Sequence, residues 1–225
     1  MTGIKRFFLC RLAPVSADMP VADRAQILLD AALSGVTVTH KVLSETVGHG
    51  PRGDAFDWDF MIEVWLDAPD TPDWKRLSSA CRAAGLDAAG SRTMLAEELI
   101  MKQGSAAVKG TFLSKRRRDA SVPEYQSYWR NEHREIIMAQ TDFFAFVRAY
   151  VQNHFFPGSF LSLEGVAPAR EETFDGAPQM WFDSPEDIYD AFQTSGYLNA
   201  IKEDEKILTW VGQSQSFISR ETELP

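Results

Sequence analysis

The sequence predicts an α+β protein built of two tandem ferredoxin-like units, and three observations lead there. Strand and helix patterns in the first half run β-α-β-β-α-β. The same order recurs in the second half. A run of Trp, apolar, Asp, small and Pro, Val64-Trp65-Leu66-Asp67-Ala68-Pro69, returns as Met180-Trp181-Phe182-Asp183-Ser184-Pro185, with its tryptophan 116 positions further on. That separation is close to half of the 225 residues, a length that accommodates two domains of ordinary size. A repeat of this kind decides the fold ahead of local signals, and it divides the chain into units 1–105 and 106–225.

In the first unit Ile4 to Leu12 reads as a strand rich in aromatic and β-forming residues. Pro14 to Pro20 is a loop, and Val21 to Leu33 is a helix with Ile27, Leu28, Ala31 and Ala32 on its apolar side, stopped by Gly35. Val36 to Val47 alternates as a strand, with Val36, Val38, His40 and Val42 on one face. Gly48 to Asp54 is a loop, Phe56 to Asp67 a strand, Asp70 to Ala84 a helix closed by Gly85, and Arg92 to Met101 the last strand.

The second unit opens on Val108 to Lys115, which matches Ile4 to Arg11 with apolar residues in register and a basic residue at each end. A helix follows over Ser121 to Gln140, then a strand over Phe143 to His154. Ala177 to Asp183 is the third strand, Ser184 to Leu208 is helical with a break near Gly196, and Gln213 to Glu221 closes the unit. A four-stranded sheet with both helices on one face leaves the other face bare, and large apolar patches are not left exposed on soluble monomers. Two units in one chain cover each other, sheet against sheet.

Composition narrows the function classes. A hydrophobic fraction of 44% and a charged fraction of 24% are those of a soluble globular protein. A net charge of −9, from 23 basic and 32 acidic side chains, argues against nucleic acid or an anionic membrane as the main partner. Cys10 and Cys81 are too few for a disulfide scaffold or a cysteine zinc site and read as buried thiols of a reducing compartment. No apolar run reaches the ~18 residues of a membrane span, and Arg11 interrupts the short apolar stretch near the N-terminus. The expectation is a cytoplasmic protein.

The helix from Ser121 to Gln140 carries the strongest functional signal. Ser121 is placed to cap it, with Pro123 and Glu124 in the first turn. Tyr125, Trp129, His133, Ile136 and Ile137 recur at spacings of three and four and so share one face. A lone histidine on such a face is by default a hydrogen-bonded core residue. The following strand offers the other reading. One face carries Phe144, Phe146, Arg148, Tyr150, Gln152 and His154 and turns polar midway; the opposite face, Phe143, Ala145, Val147, Ala149, Val151 and Asn153, is small and suits sheet packing. If the polar face lies under the helix, His133 approaches Tyr150, Gln152 or His154, with aromatic walls from Trp129, Phe144 and Trp181 suited to a flat ligand. If that end of the strand instead emerges at the sheet edge, its polar residues are simply solvated. The first unit builds the same fold with a helix that lacks both Trp and His, so the fold does not require them; this favours the pocket.

These residues carry a resemblance. Tyr128-Trp129-Arg130-Asn131-Glu132-His133, then Arg148-Ala149-Tyr150-Val151-Gln152-Asn153-His154, then Phe174-Asp175-Gly176 through Trp181-Phe182-Asp183 resemble the EthD family of the dimeric α+β barrel superfamily. The match covers Val108 to Glu221. The first half fits the fold and the Trp-x-Asp turn but has Glu45 or Thr46 about where His154 would fall. The resemblance therefore implies an intrachain pseudo-dimeric α+β barrel whose second unit keeps the family's site and whose first is degenerate. His40 is a separate candidate in the first unit. The resemblance further implies cyclase, dehydratase, isomerase or lyase chemistry on small aromatic or polyketide-like compounds, without metal or organic cofactor. Such chemistry needs a general base and a donor for the developing enolate or phenolate. His133 and His154 are candidates for acid and base, Tyr150 for donor, and Tyr128 is one residue off the helix face. Arg148, which shares a face with Tyr150, is the better candidate to hold a carboxylate or phenolate, with Lys115 second. Trp129, Phe144, Gln152 and Trp181 complete the binding set. A cofactor-free monooxygenase of electron-rich phenols and a non-enzymatic small-ligand binder are the alternatives. A fused pair already covers its sheet faces, so both a monomer and a homodimer are compatible with the chain.

Other signals are weaker. Lys115 to Arg118 suggests an anion site but reads more simply as a solvated loop in an acidic chain, and Glu203-Asp204-Glu205 as a solvated helix end. Glu132 and His133 project about 100 degrees apart on a helix, which does not suit metal ligation. Gly48-His49-Gly50 is too short for a phosphate-binding loop.

Overall fold

The computed structural model describes residues 2–14, 18–51 and 56–225; the predicted loops Pro14–Pro20 and Gly48–Asp54 lie partly outside them. The first half contains β1 (Thr2–Cys10), α1 (Val21–Ala32), β2 (Val38–His49), β3 (Phe60–Leu66), α2 (Trp74–Ala83) and β4 (Arg92–Lys102). The second contains β5 (Val108–Leu113), α3 (Val122–Tyr128), α4 (Arg134–Ala139), α5 (Thr141–Phe144), β6 (Ala149–Phe155), β7 (Leu161–Ser162), β8 (Gly176–Phe182), α6 (Pro185–Ala191), α7 (Lys202–Leu208) and β9 (Gln215–Glu223).

The strands form one antiparallel sheet in the order β1-β3-β2-β9-β5-β8-β6-β4, and β4 pairs back onto β1 to close an eight-stranded barrel. The short β7 extends beside the start of β4. Each half contributes four neighbouring strands in the same relative order, β4-β1-β3-β2 and β9-β5-β8-β6. The halves are joined at two seams, β2 on β9 and β4 on β6. The faces expected to pack sheet against sheet therefore become the lumen of a barrel. Pairing at both seams leaves no unpaired row of backbone groups at the sheet edges, which a sandwich would expose.

Alternation along each strand sorts side chains into three layers. Phe8, Cys10, Ile62 and Val64 point outward onto Leu28, Leu29, Leu77 and Cys81 of α1 and α2. Phe112, Phe182 and Tyr150 do the same beneath Ile137, Ile188, Tyr197 and Ile201. Phe7, Leu9, Met61, Met94, Leu113, Phe155 and Phe217 fill the lumen. The lumen also holds a charged belt. Lys5 pairs with Glu63 at 3.0 Å and Glu98 at 2.7 Å, Lys109 pairs with Glu63 and with Glu221 at 2.7 Å, and Gln179 Nε2 donates to Glu63 at 3.0 Å. Burial raises the Glu63 carboxyl, but Lys109 and Lys5 outweigh it and hold the group below its usual range.

Four expectations are corrected. β2 continues through a bulge between Thr46 and Gly48 and includes Gly48 and His49. β3 begins at Phe60 rather than Phe56. The strand expected from Phe143 begins at Ala149, because Thr141 to Phe144 close a helical turn through Phe144 N to Gln140 O (2.9 Å) and Ala145 N to Thr141 O (3.0 Å). That turn sets the Phe143 ring against Phe192 and Tyr197, a tertiary gain that overrides the β preference of the sequence. The helix expected over Ser121 to Gln140 is not uniform α: between α3 and α4, Trp129 to His133 form a π turn.

Candidate active site

The Ser121 hydroxyl accepts from Glu124 N and the Glu124 carboxylate accepts from Ser121 N, a capping box that starts α3. From there Tyr125, Trp129, His133 and Ile137 are buried as the spacing predicts, while Ile136 is half-buried. The π turn widens the helix from Trp129 to His133. A second π turn, Tyr197 to Ile201, precedes α7 on the facing helix. Such turns concentrate at functional positions.

The two π turns bring His133 to Asp204. His133 Nδ1 lies 2.5 Å from Asp204 Oδ2, and the Tyr128 hydroxyl donates to Asp204 Oδ1 at 2.5 Å. Burial pushes Asp204 up, but the hydrogen bonds from His133 and Tyr128 outweigh it and hold the carboxyl below its usual range. Burial and Asp204 push the Tyr128 phenol up to about 12. The Glu203-Asp204-Glu205 run is thus no solvated helix end. Glu203 is exposed and pairs with Lys206, whereas Asp204 and Glu205 are buried. Two carboxylates on the inward side of a helix were the signal available in the sequence.

The second cluster lies on the outer face of β6, under α3. Gln152 Nε2 donates to the Trp129 carbonyl at 3.1 Å and to the Tyr150 hydroxyl at 3.0 Å. This orients the amide, so Gln152 Oε1 accepts from His154 Nε2 at 3.0 Å. The tautomer follows: Nε2 carries the proton, and Nδ1 is a bare acceptor with no hydrogen-bond partner in the structure. The Trp129 ring covers His154, centroids 4.3 Å apart. Burial, reinforced by Arg130, pushes His154 down to about 3, and burial pushes Tyr150 up to about 12, so both are neutral near pH 7.

Trp129 fits there because of the strand opposite. His154 is paired with Gly176, and a Cβ at Gly176 would stand 2.3 Å from the Trp129 ring. Five positions before the repeated tryptophans, the first half has Phe60 where the second has Gly176. An aromatic ring fills each outer face, supplied by the strand in one half and by the helix in the other.

The remaining predicted residues separate. The bond His133 makes is to Asp204, not to Tyr150, Gln152 or His154. Arg148 precedes β6, is exposed, and pairs with Asp183 at 2.7 Å, away from Tyr150. Phe144, on α5, meets Tyr150 edge-on at 6.3 Å. Trp181 sits on the lumen side of β8, where its Nε1 donates to Glu221 at 2.5 Å. With Trp65 it lines a cavity of about 420 Å³ at one barrel mouth, which His40 also lines, its ring tilted against Trp65 with centroids 4.8 Å apart. His133, Tyr150, Gln152 and His154 are each at most 5% exposed, so the histidine cluster is closed. Among the described residues no group of three or more His, Cys, Asp or Glu is placed to hold a metal ion. No described helix is long and apolar enough to cross a membrane.

Comparison with known proteins agrees with this architecture. Residues 117–209 match the model of the EthD domain. No curated protein matches the chain. Among solved structures, a tryptophan-to-valine variant of the chlorite dismutase of Candidatus Nitrospira defluvii is similar at 13% identity and a TM-score of 0.50, over 97% of this chain and 92% of that one. An anthrone oxidase-like protein is similar at 12% identity and a TM-score of 0.45, over 98% and 93% of the two chains. A provisionally named monooxygenase of Fusobacterium nucleatum is similar at 7% identity and a TM-score of 0.48, over 99% and 93%. At 13% identity the likeness to the chlorite dismutase is one of fold alone. The stretch that matches the EthD domain, residues 117–209, contains both histidine clusters and lies within an eight-stranded antiparallel α+β barrel.

Proposed function

We propose that the second half is a cofactor-independent acid/base catalyst, a lyase, dehydratase or cyclase/isomerase, acting on a small aromatic or polyketide-like compound. The observation that carries this reading is the Asp204–His133 pair. A carboxylate that takes Nδ1–H leaves Nε2 as the basic nitrogen and stabilises the imidazolium that forms on proton transfer. His154, neutral and with a bare Nδ1, supplies a hydrogen-bond acceptor that becomes a second base only if opening of the site relieves its burial, and Tyr150 a phenol held protonated. Substrate reaches these groups only if α3 and α4 shift off β6, and the π turns are the weak points at which such a shift is least costly. The experiment is a screen of hydroxylated aromatic and polyketide-like compounds for turnover, repeated with His133→Ala and His154→Ala. Loss of turnover in both folded variants supports the reading, and unchanged rates sink it.

The closed packing of both histidines favours a second reading, a non-enzymatic small-ligand or accessory protein. Saturable binding of the same compounds without any turnover separates it from the first. The same proposal takes units 1–105 and 106–225 as duplicated ferredoxin-like units. The shared strand order and the matching places of Trp65 and Trp181 support it. It also takes the protein as cytoplasmic, with Cys10 and Cys81 as free buried thiols.

A further inference from the structure

At the barrel end opposite Trp65 and Trp181 lies a cavity of about 350 Å³. It is lined by repeat-related pairs. Arg11 and Lys115 end the first-strand runs of the two halves, and Trp58 and Phe174 each stand seven positions before the repeated tryptophan. Arg92 and Gln215, the first residues of β4 and β9, complete the wall.

Its polar groups are incompletely matched. Lys115 is 2% exposed, so it is not part of a solvated loop; among the described residues its ammonium donates to the Glu171 carbonyl and lies over the Phe174 and Trp210 rings. No carboxylate among the described residues forms a salt bridge with it. The nearby acids are shared with other cations: Asp175, whose charge reaches Lys115, pairs with Arg116 at 3.2 Å and Arg170 at 3.1 Å, Glu171 faces Arg118 at 3.4 Å, Glu172 faces Arg92 at 3.5 Å, and Asp57 accepts from Gln215 at 2.6 Å. Arg92 Nε is a buried donor without a partner, and Gln215 Oε1 a buried acceptor without one. An ammonium taken out of water without a counter-charge is costly, and each orphaned polar atom adds to that cost. A fold that retains these groups around a cavity, beside the edge-to-face pair of Trp58 and Phe174, has the form of a ligand site awaiting an anion.

We infer that this cavity binds a small planar aromatic carboxylate. The carboxylate bridges Lys115 and Arg92, the ring lies against Trp58 and Phe174, and a ring hydroxyl donates to Gln215 Oε1. The site shares no lining residue with the histidine clusters and does not depend on the acid/base reading. Burial, with Arg170 adding to it, depresses the Lys115 ammonium, so an arriving carboxylate also stabilises its charged form.

The test is calorimetric titration of the full chain with para-hydroxybenzoate, alongside its neutral analogue para-hydroxybenzamide and ring-less acetate. Saturable binding of the acid is expected, with both analogues at least about 10-fold weaker. Lys115→Met and, as a second variant should the first fail to fold, Arg92→Gln are expected to weaken binding about 10- to 100-fold, the range for hydrogen bonds to charged groups. Lys115→Met is also expected to unfold at the same or higher urea concentration, since it removes a buried charge that no salt bridge among the described residues holds. Equal binding of acid and amide, binding in both variants within about twofold of the parent, or no saturable binding of the acid at millimolar concentration overturns the inference.

Discussion

The two halves share strand order and register around their tryptophans, yet they cover their sheets differently. In the first, α1 and α2 are plain α-helices that lay aliphatic side chains on Phe8, Ile62 and Val64. In the second, both helical layers carry a π turn, and the outer face of the sheet presents Tyr150, Gln152 and His154 to Trp129. The layer over the first half is therefore built without any of these polar groups. Their presence in the second half is a departure from what the fold needs, and it coincides with the residues that match the EthD domain. A difference between near-equivalent halves is a better guide to function than burial alone, because the first half serves as an internal control.

That contrast can be broken at specific residues. Trp129→Ala should be the most damaging change, costing about 3–5 kcal/mol in urea unfolding, because Gly176 leaves nothing behind to fill the space. Asp204→Ala leaves the His133 and Tyr128 donors unmatched, at about 1–3 kcal/mol for each. Because the folded Asp204 is held below the unfolded value of ~3.9, its contribution is present above that pH and fades as pH falls through the folded pKa. The difference between parent and Asp204→Asn should accordingly shrink below about pH 4. Gly176→Ala should cost about 1–3 kcal/mol by overpacking against Trp129. The penalty should shrink but not vanish in a Trp129→Ala background, because the Cβ would also stand 2.9 Å from the Asn153 carbonyl oxygen; an undiminished penalty would show that the ring does not set the limit.

His154 gives an effect that is absent near neutral pH and appears only in acid. Its folded pKa of about 3 lies below the unfolded ~6.5, so between these values the unfolded chain binds the extra proton. Stability should fall as pH drops through that window, with His154 contributing up to about 1.4 kcal/mol per unit. His154→Gln should flatten the slope. Arg148→Ala, at an exposed pair with Asp183, should leave the unfolding midpoint unchanged; a clear shift would return Arg148 to the site.

Much of this was legible in the chain. Period-two and period-three-to-four patterns, together with the Trp65 and Trp181 runs, determine the β-α-β-β-α-β order, because side-chain alternation is a local property of the backbone. The face shared by Tyr125, Trp129 and His133 follows from the same rule. Asp204 was misread because local charge density says nothing of which helix lies opposite. Arg148 and Trp181 were misplaced because a strand's start decides which residues share a face, and Phe143 chose a helical turn only when Phe192 and Tyr197 were in place. Lys115 looked solvated for a like reason: its burial is set by Phe174 and Trp210, distant in sequence.

The sequence by itself determined the β-α-β-β-α-β order of each half and the helix and strand that carry the histidines. Only the tertiary structure decided that the sheets close into a barrel, that His133 turns to Asp204, and that Lys115 faces a cavity without a salt-bridge partner among the described residues. The physical reason is common to all three. Each depends on hydrogen bonds or charges between groups far apart in the chain, and such partners are chosen by packing.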